Sequence, residues 1–249
     1  MAQRWLARLL VVFSFALLVA MPRAQTPSPT PTQTGSPPVK GGDLELVKKL
    51  LTSRSEYQKT LEQLRVHYYQ VHDMERMRWA EEELKLYHRI PKNAFILDLD
   101  VPPPNLNGNQ NVPEANKLFT WAMQYKDKGL STEYIDNQRR AEILFQEILS
   151  RYPHSDKISD VAFMLGDIYE SKAYRMYYRA VEYYHRCYQW NSKTTHDARI
   201  RAARLYDKQL NNRGKAIEVY REVTTHETDP RRIAEAQKRI AELSGTNSK

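Results

Sequence analysis

The chain has 249 residues, 41% of them hydrophobic and 27% charged, with a formal net charge of +8. Its only cysteine, Cys187, excludes an intrachain disulfide framework, and a chain this long can bury a core without such staples. Eight glycines, none arranged as a Walker or dinucleotide fingerprint, exclude the usual phosphate-cradling loops.

At the N-terminus, Arg4 and Arg8 precede an apolar run from Leu9 to Met21 that carries no charge. A basic start, a short apolar core and small residues after it describe a secretory signal over residues 1–24, with cleavage after Ala20 or Ala24. The alternative is an uncleaved anchor, although the run falls short of the about 20 apolar residues that cross a bilayer. Either reading places the rest of the chain outside the cytoplasm, in a periplasmic or envelope setting. No cysteine follows the run, so a lipid on a mature N-terminal Cys is excluded. Removing the signal takes away Arg4, Arg8 and Arg23 and no acid, which leaves +5. A mildly basic chain favours anionic neighbours such as lipid head groups or wall polymers. The mixing of Lys, Arg, Asp and Glu through the rest reads as solvated helix faces.

Residues 25–42, QTPSPTPTQTGSPPVKGG, hold nothing large to bury and read as a disordered Pro/Thr/Ser-rich linker, a spacer or a tail. Helical periodicity begins at Asp43. Leu44, Val47, Leu50 and Leu51, then Tyr57, Leu61, Leu64, Tyr68 and Val71, recur at steps that put them on one side of a helix. The pattern resumes at Met77, Ala80, Leu84 and Tyr87, with Asp73 placed to cap a second helix and Pro91 to stop it. Residues 43–90 therefore read as a hairpin bending near Val71–Asp73, or else as one long helix.

Residues 91–112 break the period. Phe95, Leu97, Leu99 and Val101 alternate with Ile96, Asp98 and Asp100, which predicts a short extended segment, and Pro102, Pro103 and Pro104 forbid regular structure after it. This is a long connector by loop standards. Its alternation predicts that it packs along the helices through its apolar side.

Helical patterns then run near 113–128, 132–151, 156–171, 175–190, 196–210, 213–226 and 230–243. Pro113 suits a first helical position. Ser131, Ser155 and Thr194 are N-cap candidates, Asp229-Pro230 is the strongest start signal, and Gly245 suits the final stop.

These helices align. In the first helix of each pair a small residue precedes a tyrosine by three: Ala122/Tyr125, Gly166/Tyr169 and Ala203/Tyr206. In the second, alanine precedes an aromatic by four: Ala141/Phe145, Ala180/Tyr184 and Ala216/Tyr220. The tyrosines are spaced by 44 and 37 residues, the alanines by 39 and 36. Small residues permit close helix approach, and the ring fills the groove beside them. At these positions the chain resembles the tetratricopeptide (TPR) family, whose period is about 34 residues. The resemblance covers about 113–244, with a degenerate unit at 55–91. The proline expected after the second helix stands at Pro153, is displaced to Pro230 in the third unit and is missing near Asn191-Ser192.

The segment AEILFQEILSRYPHSDKISDVAFMLGDIYES is similar to exported bacterial TPR proteins. Among these are the TPR lipoprotein of the outer-membrane β-barrel assembly machinery and the periplasmic TPR protein linked to the Tol–Pal system. The chain lacks the lipobox cysteine of the first. The resemblance implies an all-α TPR-type solenoid of helical hairpins and a non-catalytic scaffold with a protein or peptide partner.

The residues themselves offer little catalysis. His67 and His72 lie five apart, which does not stack them on a helix face, and no HExxH occurs. Asp98 and Asp100 read as solvated carboxylates that meet helix arginines. Cys187 reads as a small buried hydrophobe. No catalytic residue, metal site or cofactor is expected. The aromatic run Tyr174, Tyr177, Tyr178, Tyr183, Tyr184, Tyr188 and Trp190 exceeds what one helix can point inward. Exposed tyrosines and arginines are common binding anchors, so Tyr177, Arg179, Tyr183, Arg199 and Arg204 form the candidate partner-binding surface. The alternative is that these rings pack between repeats. Single-stranded nucleic acid also suits interleaved Arg and Tyr, but the export signal argues against it. A second function reading is a binder of anionic envelope polymers or lipid head groups through the same basic surface.

Overall fold

The computed structural model describes residues 41–245, and the expected signal peptide and most of the linker lie outside them. Ten helices form among the described residues, and there is no strand. They are α1 (Gly41–Gln70), α2 (Met74–Arg89), α3 (Leu97–Asp100), α4 (Pro113–Tyr125), α5 (Ser131–Arg151), α6 (Ile158–Glu170), α7 (Tyr177–Trp190), α8 (Ala198–Lys208), α9 (Arg213–His226) and α10 (Pro230–Ser244). None of them is long and apolar enough to cross a membrane.

The first two helices form a hairpin. Asp73 caps α2 by accepting from the Arg76 amide at 3.1 Å, and His72 takes positive φ at the bend. Val47, Leu61, Ala80 and Leu84 make its small apolar seam, and Tyr57 and Tyr87 meet at 5.1 Å between ring centroids. Arg89 ties α2 to α5 by gripping both oxygens of Asp136 at 2.6 Å, the paired geometry that fixes orientation as well as charge.

From α4 onward each helix packs on the next in sequence. Ala122, Ala141, Ala180, Ala203 and Ala216 have no exposed surface, nor do Phe145, Tyr169, Tyr184 and Tyr220; Gly166 and Tyr206 are buried and Tyr125 is half-buried. Phe119 and Phe145 meet at 5.7 Å across α4 and α5. Gly166 lets α6 lie against the ring of Tyr184 on α7, since a Cβ there would stand 2.6 Å from two ring carbons.

Three cap expectations need correction. Leu130, not Ser131, stands at the N-cap of α5 without a side-chain bond. Ser155 accepts from the Lys157 amide and Thr194 from the His196 amide, but α6 and α8 start later, at Ile158 and Ala198. These hydroxyls bond within the preceding turn, as Ser and Thr commonly do. Asn212 is a cap that was not anticipated, accepting from the Lys215 amide. Asp229 caps α10, and Gly245 ends it in the left-handed conformation at φ 72°.

The connector also differs. Leu97–Asp100 closes a single helical turn, with extended Ile96 and Val101 on either side. Ile96 and Val101 are buried while Phe95 and Leu99 are exposed, so the alternating residues do not share a face. Among the described residues no neighbouring strand is there to satisfy an extended backbone, and the local turn satisfies it instead.

Candidate functional site

The connector and α7 meet in a polar contact. Arg179, Tyr183, Arg186 and Trp190 are spaced by four, three and four residues, which places them along one side of α7. Each donates to the connector. Arg179 Nη1 reaches the Lys92 carbonyl at 3.1 Å and its Nη2 reaches Asp100 Oδ1 at 3.3 Å. The Tyr183 hydroxyl donates to the Asp100 carbonyl at 3.3 Å. Arg186 Nε reaches the Pro102 carbonyl at 2.7 Å, and the Trp190 indole reaches that of Pro103 at 3.0 Å. Prolines present carbonyls without amides, and Arg and Trp present donors without acceptors, so the two sides are complementary. Farther along, the amides of Asn109 and Gln110 donate to the His154 carbonyl, and Asp156 donates back to Gln110. Gly108 lies so close to Ser155 that a Cβ would stand 2.4 Å from its carbonyl oxygen.

Behind this seat lies a buried network. The Tyr169 hydroxyl donates to Glu142 at 2.8 Å, Tyr174 also donates to Glu142, and Gln146 donates to Tyr169 and to Tyr183 at 3.1 and 2.8 Å. The Arg179 guanidinium lies 4.4 Å over the Tyr169 ring, and that of Arg139 lies 3.7 Å over Tyr174. Burial pushes the hydroxyls of Tyr169 and Tyr174 well above the ordinary phenol range and raises that of Tyr183, so they stay protonated as hydrogen-bond donors. Burial likewise brings Lys92 down to about 8, with nearby Glu142 opposing and Arg139, Arg54 and Arg179 adding to the effect.

A second cluster lines a cleft of about 420 Å³ near the C-terminal ends of α4 and α6. Arg201 of α8 contacts Asp167 and Glu170 of α6 and the Tyr184 hydroxyl, and Lys126 contacts Asp167 from the end of α4. Burial works against the Asp167 carboxylate, but Lys126 and Arg201 hold it below the usual range. The charge ladder continues to α10, where Arg204 grips Glu235 and Arg239 grips Asp207. Asp207, almost fully buried, also accepts from Tyr220 at 3.2 Å. Asp207→Asn weakens both bonds, and hydrogen bonds to charged groups contribute about 1.5–3 kcal/mol. A loss of about 1.5 kcal/mol in a urea titration is expected, and no loss would mean that the pair is surface decoration.

The five candidate binding residues do not make one open groove. Tyr183 is fully buried and Arg179 nearly so, both facing the connector; Tyr177 is half-buried. Arg199 is buried over the Tyr188 ring at 4.4 Å, with Glu227 3.6 Å away. Arg204 is half-exposed but committed to Glu235. The correction has a simple cause: α7 is covered by α6, α8 and the connector together, so far more of its circumference is buried than a helix with one apolar stripe allows. Arg186 was not singled out, and Trp190 only as part of the aromatic run, although their spacing from Arg179 and Tyr183 was readable.

Asp100 meets Arg179 while Asp98 is exposed. Cys187 is buried and pushed up to about 11 by that burial, so it remains a thiol. Among the described residues no three His, Cys, Asp or Glu side chains gather as a metal site would require. No protein-family model, curated protein or solved structure matches the chain.

Proposed function

We propose that the chain is a non-catalytic TPR-type scaffold, a solenoid of helical hairpins that binds an extended segment of a partner protein outside the cytoplasm. What supports this most directly is the seat on α7, where side chains of one helix face take backbone carbonyls at the end of a short helical turn and in the prolines after it. That is the chemistry by which grooves hold peptides. Three further features support the architecture: the small-residue and aromatic register, the packing of each helix on its sequence neighbour, and a chain of ion pairs crossing from one pair to the next. The proposed location rests on residues 1–24 and a role in envelope assembly on the resemblance; both are part of the same reading.

The alternative, an anionic polymer or lipid head group, needs free cations. Within the candidate surface Arg179, Arg199 and Arg204 each face a carboxylate, so these three are not free to hold an external anion. The test is photo-crosslinking in the native cell from a benzophenone amino acid at exposed positions 99, 103, 121 and 130. Adducts with a protein from the extracytoplasmic fraction are expected at one or more of them. Adducts with lipid or polysaccharide only would overturn the reading.

A further inference from the structure

The connector carries signs of a tenant as well as of a wall. Most of its contacts with α7 are made by backbone carbonyls, which carry no side-chain identity, and only Asp100 contributes a side-chain acceptor. Its hold through Asp100 is incomplete. Arg179 splits its two Nη groups between separate acceptors, while its Nε and Asp100 Oδ2, both buried, have no hydrogen-bond partner. Elsewhere the same chain makes the full two-pronged grip, at 2.6 Å for both contacts of Arg89 and 2.8 Å for both of Arg239. Leaving a buried donor and a buried acceptor unpaired is unfavourable, and a better-seated carboxylate would relieve it. The apolar hold is also slight: Ile96 and Val101 are buried, while Phe95, Leu99, Pro103 and Pro104 face outward.

We propose that residues 92–104 are a resident ligand of the α7 seat, exchangeable for a partner segment of the same kind. That partner is a peptide that closes one helical turn, as Leu97–Asp100 does, with a carboxylate two residues before a run of prolines, as Asp100 stands before Pro102. Its carboxylate takes both prongs of Arg179, and its carbonyls take Tyr183, Arg186 and Trp190. Because the resident is tethered, it competes at an effective concentration of order millimolar. The whole chain therefore binds an external peptide weakly until the connector is loosened. This inference rests on the peptide-binding reading above and names its site and partner class.

The probe is a fluorescent peptide of residues 95–105, FILDLDVPPPN, titrated by anisotropy into the full chain. Val101→Ser loosens the connector without touching α7, and it is expected to bind the peptide at least tenfold more tightly than the unaltered chain, which corresponds to about 1.4 kcal/mol. Adding Trp190→Phe to Val101→Ser removes the indole donor and is expected to reverse most of that gain. If Val101→Ser, shown folded by circular dichroism, binds no more tightly, or binds a scrambled peptide equally well, exchange is refuted. Hydrogen exchange on the unaltered chain gives an answer that needs no variant. The Leu99 and Val101 amides are bonded to Ile96 and Leu97, and under exchange they open at lower free energy than the amides of α7; equal protection refutes the proposal. Protein crosslinks at positions 121 and 130 combined with failure here would remove the exchange and leave the scaffold reading standing.

Discussion

Gly166→Val is expected to destabilise the protein by about 3 kcal/mol, at the upper end of the range for overpacked cores. On helix propensity alone the change would look favourable, because a glycine inside a helix is worse than alanine by about 1 kcal/mol. The crossing of α6 and α7 reverses that sign. A Cβ at Gly166 would meet the Tyr184 ring at 2.6 Å, and the ring has no room to yield. It is fully buried, its hydroxyl is held by Glu170 and Arg201, and Phe163 lies 5.7 Å from it. For a chain of this size the loss corresponds to about 6–12 °C in Tm. Gly166→Ala is expected to show the same direction at about half the size, and Tyr184→Leu in the same chain to relieve part of it. A thermal melt in which Gly166→Ala is more stable than glycine would show that the two helices do not need this close approach.

The second large effect is with pH. His88 and His185 are both brought from 6.5 to about 4, first by burial and then by nearby cations, Lys92 and Arg139 for His88 and Arg186 and Lys215 for His185; Glu142 and Glu218 oppose. A histidine with a lowered folded-state pKa binds its proton more readily when unfolded. The stability it contributes is therefore complete above about pH 6.5 and is lost as pH falls from there towards 4. At 1.36 kcal/mol per pKa unit, His185 accounts for about 3 kcal/mol and the more exposed His88 for less. Glu182 and Asp100 act in the opposite sense, because burial raises them and the folded chain takes up their protons first. Asp136 and Glu235, lowered by Arg89 and Arg204, lose their contribution only at still lower pH. The Tm is thus expected to fall between pH 6.5 and 4.5, and His185→Gln, which cannot take up a proton, to flatten that slope. Identical slopes for the two proteins would mean that His185 is solvated.

Much of the helical architecture is legible in the amino-acid order. The starts of α2, α4 and α10 follow from Asp73, Pro113 and Asp229-Pro230, and the hairpin bend at residues 71–73 follows from the break in apolar spacing. The seat on α7 was only half legible. The aromatic and arginine run drew attention to Arg179 and Tyr183, but as exposed anchors; it included Trp190 without a role and passed over Arg186. Asp100 read as a carboxylate that would meet a helix arginine, without a sign of which one.

The division has a physical basis. Helical periodicity, caps and glycine stops depend on neighbours within three or four residues, so the amino-acid order alone determined that this chain is a succession of helices with small residues and rings in register. Whether an arginine stays free or is consumed depends on what packing brings to it, and Arg179 meets Asp100 from 79 residues away. Only the tertiary structure decided that the basic, aromatic face of α7 is already filled by the chain's own prolines. An arginine or a tyrosine can satisfy its donors with water or with a buried acceptor, and packing decides which one it meets.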